Sequence, residues 1–241
     1  MAIAEGSLPA GSTITGEELE ERLGVSRSVV REIVRKLEVL GMVTSRRRVG
    51  VTILPMPNWN VFDIQVIRWR LASKSRITQL RSLTELRSAI EPEAAKLAAV
   101  RAPLAQASDL VGIAGRLYAA GRAGDQELFL KLDIEYHALV MEMSGNEMYT
   151  KLDNTVAEVL AGRMHYGLSP KYPHEEALAL HSQVAGAIQR GDGDAAKVAM
   201  GRIMERSLEE MMAVWGEEHG EASDADAPNV LRPLPTEHHG A

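Results

Sequence analysis

The chain has 241 residues, no cysteine, a formal net charge of −6 and 4% aromatic residues. Disulfides and thiolate metal sites are excluded, and a reducing compartment, the cytoplasm, is the expected location. The core must be built from Ala, Leu, Val, Ile and Met, mostly good helix formers. No stretch approaches the roughly 20 apolar residues that a membrane-spanning helix needs. The N-terminus lacks a basic segment followed by an apolar run, so no signal peptide and no membrane partner are expected.

Residues 1–14, MAIAEGSLPAGSTI, read as a loop punctuated by Gly6, Pro9 and Gly11. Thr15-Gly16-Glu17-Glu18 is a capping-box sequence, and Leu19 and Leu23 are the apolar contacts of the short helix it starts. A turn follows at Gly24-Val25. Ser26 then has the hydroxyl side chain preferred at a helix N-cap. Val29, Val30, Ile33, Val34, Leu37 and Leu40 recur at helical spacing, and Gly41 ends the helix as a residue tolerant of positive φ. Met42–Ser45 and Val51–Leu54 read as two short strands. Arg46, Arg47, Arg48 and Gly50 sit at the hairpin tip between them.

Helix, turn, helix and hairpin in this order predict a winged helix-turn-helix over residues 1–54. Its second helix would enter the major groove of double-stranded DNA. Ser26, Arg27, Ser28 and Arg31 would then lie near base edges. Arg46, Arg47, Arg48 and Gly50 would lie along phosphate or in the minor groove. From Arg22 to Arg48 eight basic residues face two acidic ones, a local charge of +6 on a chain of net −6. A basic island on an acidic protein is the footprint of a phosphate-binding surface. The alternative is a solvated helix face beside a charged hairpin.

Residues 55–62, with Pro55 and Pro57, read as a linker. From 63 to 215 no strand is expected. Period-3.6 patterns predict an all-α bundle of seven helices, at about 63–74, 78–101, 103–121, 125–144, 146–168, 173–190 and 192–215. Pro103 suits a first helical turn. Asp125 reads as an N-cap, Ser144-Gly145-Asn146 as a stop and restart, and Gly191-Asp192 as a stop followed by a cap. From 216 the chain turns polar, acidic and Pro-containing, and a disordered tail is expected. The fold class is thus mostly α, a winged domain plus a helical bundle.

One constellation in the bundle points to chemistry. Asp133 and His137 are four apart and share a helix face that is otherwise apolar. His181 sits mid-helix among apolar neighbours. Carboxylate and imidazole suit a borderline divalent metal, and facing helices of a bundle are where such sites form. The spacing alone equally fits an Asp–His hydrogen-bonded pair with a separate buried His. Arg87, Glu91 and Glu135 are polar groups near the expected core, but nothing marks a base poised for catalysis. No serine elbow, phosphate-binding Gly loop or HExxH is present. An enzyme, including a metal-dependent one built on the bundle, is therefore not the expected class.

SRSVVREIVRKLEVLGMV with a wing ending RRRVGVTILP resembles the DNA-binding domain of GntR-type bacterial regulators. LTELRSAIEPEAAKLAA, LDIEYHALVMEMSGN and HSQVAGAIQRGDGDAAKVAM resemble the FCD ligand-binding domain of their FadR branch, so that the likeness covers about residues 6 to 215. The resemblance implies a homodimeric transcription factor that binds operator DNA. It also implies a divalent metal ion (zinc, nickel or manganese) held by an Asp, a His four residues later and two further His, with a small carboxylate effector beside it. Asp133, His137 and His181 match three of these ligands, while Ile203 stands where the fourth His would fall and His165 matches no motif position.

Family members also carry a helix before the segment matching Gly6–Ser12, and only IAEG stands in its place. NWNVFDIQVIRWRLAS, through Trp59-Asn60, Asp63 and Arg68-Trp69, resembles the domain junction of regulators that answer to galactonate or gluconate. The expected function is a repressor released by such a sugar acid, with Arg87, Asn146 and Arg163 as candidate effector contacts. The alternative is a regulator answering to a hydroxy acid or fatty acyl compound without a metal.

Overall fold

A computed structural model describes residues 1–218. The N-terminal part contains strand β1 (Thr13–Ile14), helices α1 (Gly16–Leu23) and α2 (Arg27–Val39), and strands β2 (Val43–Arg46) and β3 (Gly50–Ile53). The strands form an antiparallel sheet in the order β1-β3-β2, with Arg46 opposite Gly50 at the base of the wing. The capping box forms as expected. Thr15 Oγ1 accepts from Glu18 N at 3.2 Å, and Thr15 N donates to the Glu18 carboxylate at 2.7 Å.

Two details depart from the sequence reading. Thr13 and Ile14, read as loop, pair with Thr52 and Val51 and give the sheet its third strand. Two residues are too few to show a period-2 pattern, so only the tertiary pairing reveals them. Ser26 is at the N-cap of α2, but its hydroxyl pairs with Ser28 Oγ at 2.9 Å and caps no backbone N–H. No helix precedes β1 within the chain. Turns over residues 1–8 instead bring Ile3 and Leu8 against the cluster of Val30, Val34, Leu40 and Met42, with Leu19 and Leu37 at its edge.

Gly41 closes α2 in a Schellman motif. Met42 N donates to the Leu37 carbonyl at 2.9 Å, Gly41 N donates to that of Glu38 at 3.0 Å, and Gly41 has φ 68°. A Cβ here would also stand 2.1 Å from the Asn58 carbonyl oxygen, where the linker folds back. Asn60 N donates to the Leu40 carbonyl at 2.8 Å on the same side. Gly41→Ala is expected to lower stability by about 1–3 kcal/mol in denaturant unfolding, from left-handed strain together with the clash. Gly24→Ala carries only the strain, because nothing lies within 4 Å of its added Cβ. Equal costs at the two positions would show that the Asn58 contact does not matter.

The linker holds a short 3-10 turn at Met56–Asn58, and Trp59 Nε1 donates to the Leu54 carbonyl at 2.9 Å. Helix α3 (Ile64–Leu71) follows. Val66 and Trp69 pack on the winged domain's core, while Ile67 and Leu71 pack with Leu80, Leu83, Val159 and Met211 of the helical domain. One helix therefore belongs to two cores.

The bundle continues with α4 (Arg76–Arg101), α5 (Leu104–Ala123), α6 (Gln126–Met143), α7 (Glu147–Thr150), α8 (Asp153–His165), α9 (Glu175–Gln189) and α10 (Gly193–Glu218). It has eight helical segments where seven were expected, because the predicted helix over 146–168 is broken at Lys151–Leu152 into α7 and α8. Leu152 N turns back to the Tyr149 carbonyl, and Asp153 Oδ1 accepts from Asn154 N. Asp and Asn side chains compete for backbone groups in this way and favour a restart over a helix interior. Helix α10 runs on to Glu218, past the expected end at 215. The remainder of the expected disordered tail lies outside the described residues. The core is Ala-, Leu-, Val- and Met-rich, with Tyr136 fully buried and donating to the His181 carbonyl at 2.8 Å. Among the described residues no helix is long and apolar enough to cross a membrane.

Candidate functional site

Helix α6 supplies Asp133 and His137 one turn apart, and α9 brings His181 opposite them. One ligand atom from each lies within 4.8 Å of the other two. Asp133 Oδ1 is 3.4 Å from His137 Nε2 and 3.2 Å from His181 Nε2. Ligands about 2.0–2.1 Å from a tetrahedral zinc stand about 3.3 Å apart, which is this spacing. Asp133 Oδ1 and His181 Nε2 are buried polar atoms with no aligned hydrogen-bond partner, and such atoms need a compensating ligand.

The outer nitrogens each face an oxygen. His181 Nδ1 donates to the Ala177 carbonyl at 3.0 Å, and this turns Nε2 toward Asp133. His137 Nδ1 lies 2.5 Å from Glu91 Oε2. A carbonyl or carboxylate behind each imidazole is the arrangement that orients metal-binding histidines. The residues therefore fit a divalent ion with three protein ligands and open positions.

Charges in the centre are mutually compensated. Burial alone would raise the Glu91 pKa, but Arg87 and His137 outweigh it and hold the carboxyl at about 2. Burial also opposes charging of His137, yet the Glu91 and Asp133 carboxylates raise it to about 9. Asp133 is driven well below the usual carboxylate range, because the two imidazoles beside it overcome its desolvation. The two carboxylates thus favour the charged form of His137, and a metal ion bound here would compete with a proton for this imidazole.

A cavity of about 80 Å³ opens from this centre. Arg87, on α4, is 1% exposed. It donates through Nε to Glu91 at 2.5 Å, reaches His137 Nε2 through Nη2 at 3.5 Å, and leaves Nη1 buried without a partner. The Arg87–Glu91 ion pair therefore forms, and Arg87 still lines the cavity. Arg163, on α8, lines it as well, bonded to Ser207 Oγ and, at 3.2 Å, to Glu210.

Asn146 does not line the cavity. Its side chain accepts from Met148 N at 3.0 Å as the cap of α7, because the helix restart that drew attention to it uses the amide locally. Glu135, expected near the core, is exposed and pairs with Arg116 at 3.6 Å. His165 is exposed and packs on Tyr166. Ile203 lies in the cavity wall. Sequence reasoning missed the bracing role of Glu91, and it missed Arg206, Ser207 and Glu210 altogether. Ser207 and Glu210 follow Ile203 by four and seven residues, so they are polar residues on a buried helical stripe. That signal could have found them.

On the winged domain, Arg27, Ser28 and Arg31 are exposed in the first turns of α2, and Arg46, Arg47 and Arg48 are exposed on the wing. Arg27, Arg31, Arg46 and Arg48 border one groove between helix and wing. Among the described residues Arg27 and Arg31 have no carboxylate partner, whereas Arg35 pairs with Glu32 at 3.3 Å. Arg48 has φ 67°, a left-handed conformation that is uncommon for a side-chain-bearing residue and turns the wing tip. Gly50 has a structural task. At φ 109° its missing Cβ would stand 2.7 Å from the Ile14 carbonyl oxygen, so glycine is what lets β1 pair with β3.

Comparison with known proteins agrees with both halves. Residues 1–53 match the family described as bacterial regulatory proteins, gntR family, and residues 82–206 match the FCD domain. The HTH-type transcriptional regulator YieP of Escherichia coli (strain K12), itself uncharacterized, is 31% identical over 195 residues, 80% of this chain and 84% of that protein. The galactonate operon transcriptional repressor of the same organism is 28% identical over 201 residues, 82% of this chain and 86% of that one. Among solved structures, E. coli McbR/YncC superposes with a TM-score of 0.53 at 17% identity, covering 89% of this chain and 93% of the other, a likeness of fold alone. With a winged helix-turn-helix in front of a helical effector-type domain, and relatives that are regulators rather than enzymes, the chain belongs to the GntR family of bacterial transcription regulators, in the branch with an FCD domain.

Proposed function

We propose that this regulator is a cytoplasmic homodimeric repressor, released from its operator by a sugar acid such as galactonate or gluconate bound at a divalent metal ion. The carrying observation is the buried Arg87, with an unpartnered Nη1, beside the Asp133–His137–His181 cluster. Asp133, His137 and His181 would hold the ion, which would supply open positions for a carboxylate. Arg87 would meet the same carboxylate, because guanidinium geometry matches it. The names of relatives lend support, since two control galactonate and uxu operons.

Release requires that the effector prefer a dimer geometry that misaligns the two recognition helices. Helix α3, which packs against both cores, would transmit that preference. Arg163 in the cavity wall follows Gly162, whose added Cβ would stand 3.2 Å from Leu71 of α3. Val66 and Trp69 on the same helix pack into the winged core.

The direct test is calorimetry with D-gluconate and D-galactonate against L-lactate and a fatty acyl compound, followed by gel shift on the protein's own upstream DNA. Binding of a hexonate that also dissociates the DNA complex is expected. Preference for lactate or the acyl compound would overturn the sugar-acid assignment.

The two halves of the DNA surface should also separate. Arg27→Ala is expected to cost about 1–3 kcal/mol on the operator and less on unrelated DNA, if Arg27 reads a base. Arg47→Ala should weaken binding to all sequences alike and flatten the salt dependence, as loss of a phosphate contact does. A salt-independent complex would refute this use of the wing.

A further inference from the structure

The end of the cavity formed by α8 and α10 has an unusual donor and acceptor set. Glu210 Oε1, Arg163 Nε and Arg206 Nε are each buried without a hydrogen-bond partner, and all three side chains line the cavity. Their other atoms are engaged. Glu210 Oε2 accepts from Arg163 Nη2 at 3.2 Å, Arg163 Nη1 bonds Ser207 Oγ, and Arg206 Nη1 donates to Glu176 at 2.9 Å. Arg87 lines the same cavity as Arg163, and burial together with the charge of Arg87 pushes the Arg163 pKa down.

These orphans restrict the chemistry of a ligand. A carboxylate facing Glu210 would meet like charge, so a ligand's acid group belongs at the Arg87 end. An ammonium would meet Glu210 favourably but would stand among two guanidiniums. An apolar chain would leave three buried polar atoms unsatisfied, each at a desolvation cost. A hydroxyl both donates and accepts, so it can donate to Glu210 while accepting from Arg163 or Arg206.

We propose that Glu210, with Arg163 and Arg206, forms a hydroxyl-reading end of the cavity, which selects a polyhydroxylated acid over an acid of equal length without hydroxyls. This rests on the sugar-acid reading above and adds the residue that decides it. A site that hydrogen-bonds hydroxyls rejects an analogue lacking them far more strongly than an apolar pocket discriminates by size.

The experiment is calorimetry on the full chain with D-gluconate, D-galactonate and hexanoate, which keeps the carboxylate and the six carbons but no hydroxyl. Wild-type protein should prefer a hexonate. Glu210→Leu should weaken that hexonate by about tenfold or more and leave hexanoate unchanged or tighter, with metal content retained and a lower melting temperature, because the buried Arg163 loses its carboxylate partner. Glu210→Gln keeps an acceptor oxygen and the reach to Arg163. It should lose less than Glu210→Leu and serves as the test if that variant does not fold, since it exchanges a charged acceptor for a weaker neutral one and must lower hexonate affinity relative to hexanoate. Unchanged hexonate affinity in the folded variants overturns the hydroxyl-reading end alone. An equal fall for hexonate and hexanoate assigns Glu210 a structural role and also overturns it. A wild-type protein that binds hexanoate at least as well as both hexonates overturns the sugar-acid reading as well.

Discussion

Arg87→Lys is expected to leave the protein folded while removing most of its affinity for a sugar acid, whereas Arg87→Ala should lower stability by about 3–5 kcal/mol. The difference follows from Glu91. That carboxylate is fully enclosed, 1% exposed, and accepts from Arg87 Nε at 2.5 Å with His137 Nδ1 at 2.5 Å on its other oxygen. Alanine removes one of its two cations and leaves a buried charge undercompensated. Lysine keeps a cation near Glu91 but lacks the planar fork that can hold Glu91 and a ligand carboxylate together. Denaturant unfolding reads the first effect and calorimetry with D-galactonate the second. Equal effector affinity in folded Arg87→Lys would remove Arg87 as the anchor. A stability loss in Arg87→Ala below about 1 kcal/mol would show that Glu91 finds another partner or takes up a proton.

His137→Ala and His181→Ala should each abolish stoichiometric metal in protein purified without a nickel column, and Glu91→Gln should weaken metal binding by about 10–100-fold while leaving all three ligands in place. The ligand variants remove an imidazole from a three-ligand set. The Glu91 variant removes the carboxylate that orients His137 through Nδ1 and raises its basicity. Elemental analysis and chelator competition measure both. Because a metal would compete with a proton for His137, apparent affinity should also rise from pH 6 to pH 8. Trace metal in the wild type, unchanged by His137→Ala, would show that Asp133, His137 and His181 are a hydrogen-bonded cluster and hold no metal.

Much of the winged domain was legible locally. Thr15 to Glu18 announced a capping box, Gly24 a turn and Gly41 a helix end, and the apolar stripe from Val29 to Leu40 announced the buried face of α2 except at Val29, which is exposed. Each of these signals acts within a few residues, through φ preference, a side-chain cap or the helical period, so the sequence contains it whole. Strand β1 was not legible, because its existence depends on Gly50 leaving room for the Ile14 carbonyl across the sheet.

The helical site divides along the same physical line. Asp133 and His137 lie one turn apart, and their shared face is a property of the helix itself. That His181 joins them, that Glu91 stands behind His137, and that Ser207 and Glu210 close the cavity on Arg163 depend on how α4, α6, α8, α9 and α10 pack. His137 lies 46 residues from Glu91, and Arg163 lies 47 from Glu210. No local period links residues at such separations. The sequence by itself determined most of the helices and their caps, and which residues carry charge, though not the break at Lys151–Leu152 or the end of α10. Only the tertiary structure decided which of those charges are enclosed together. Enclosure is set by the packing of whole helix faces, and the same Arg87–Glu91 spacing on an exposed helix would be a surface ion pair of little consequence.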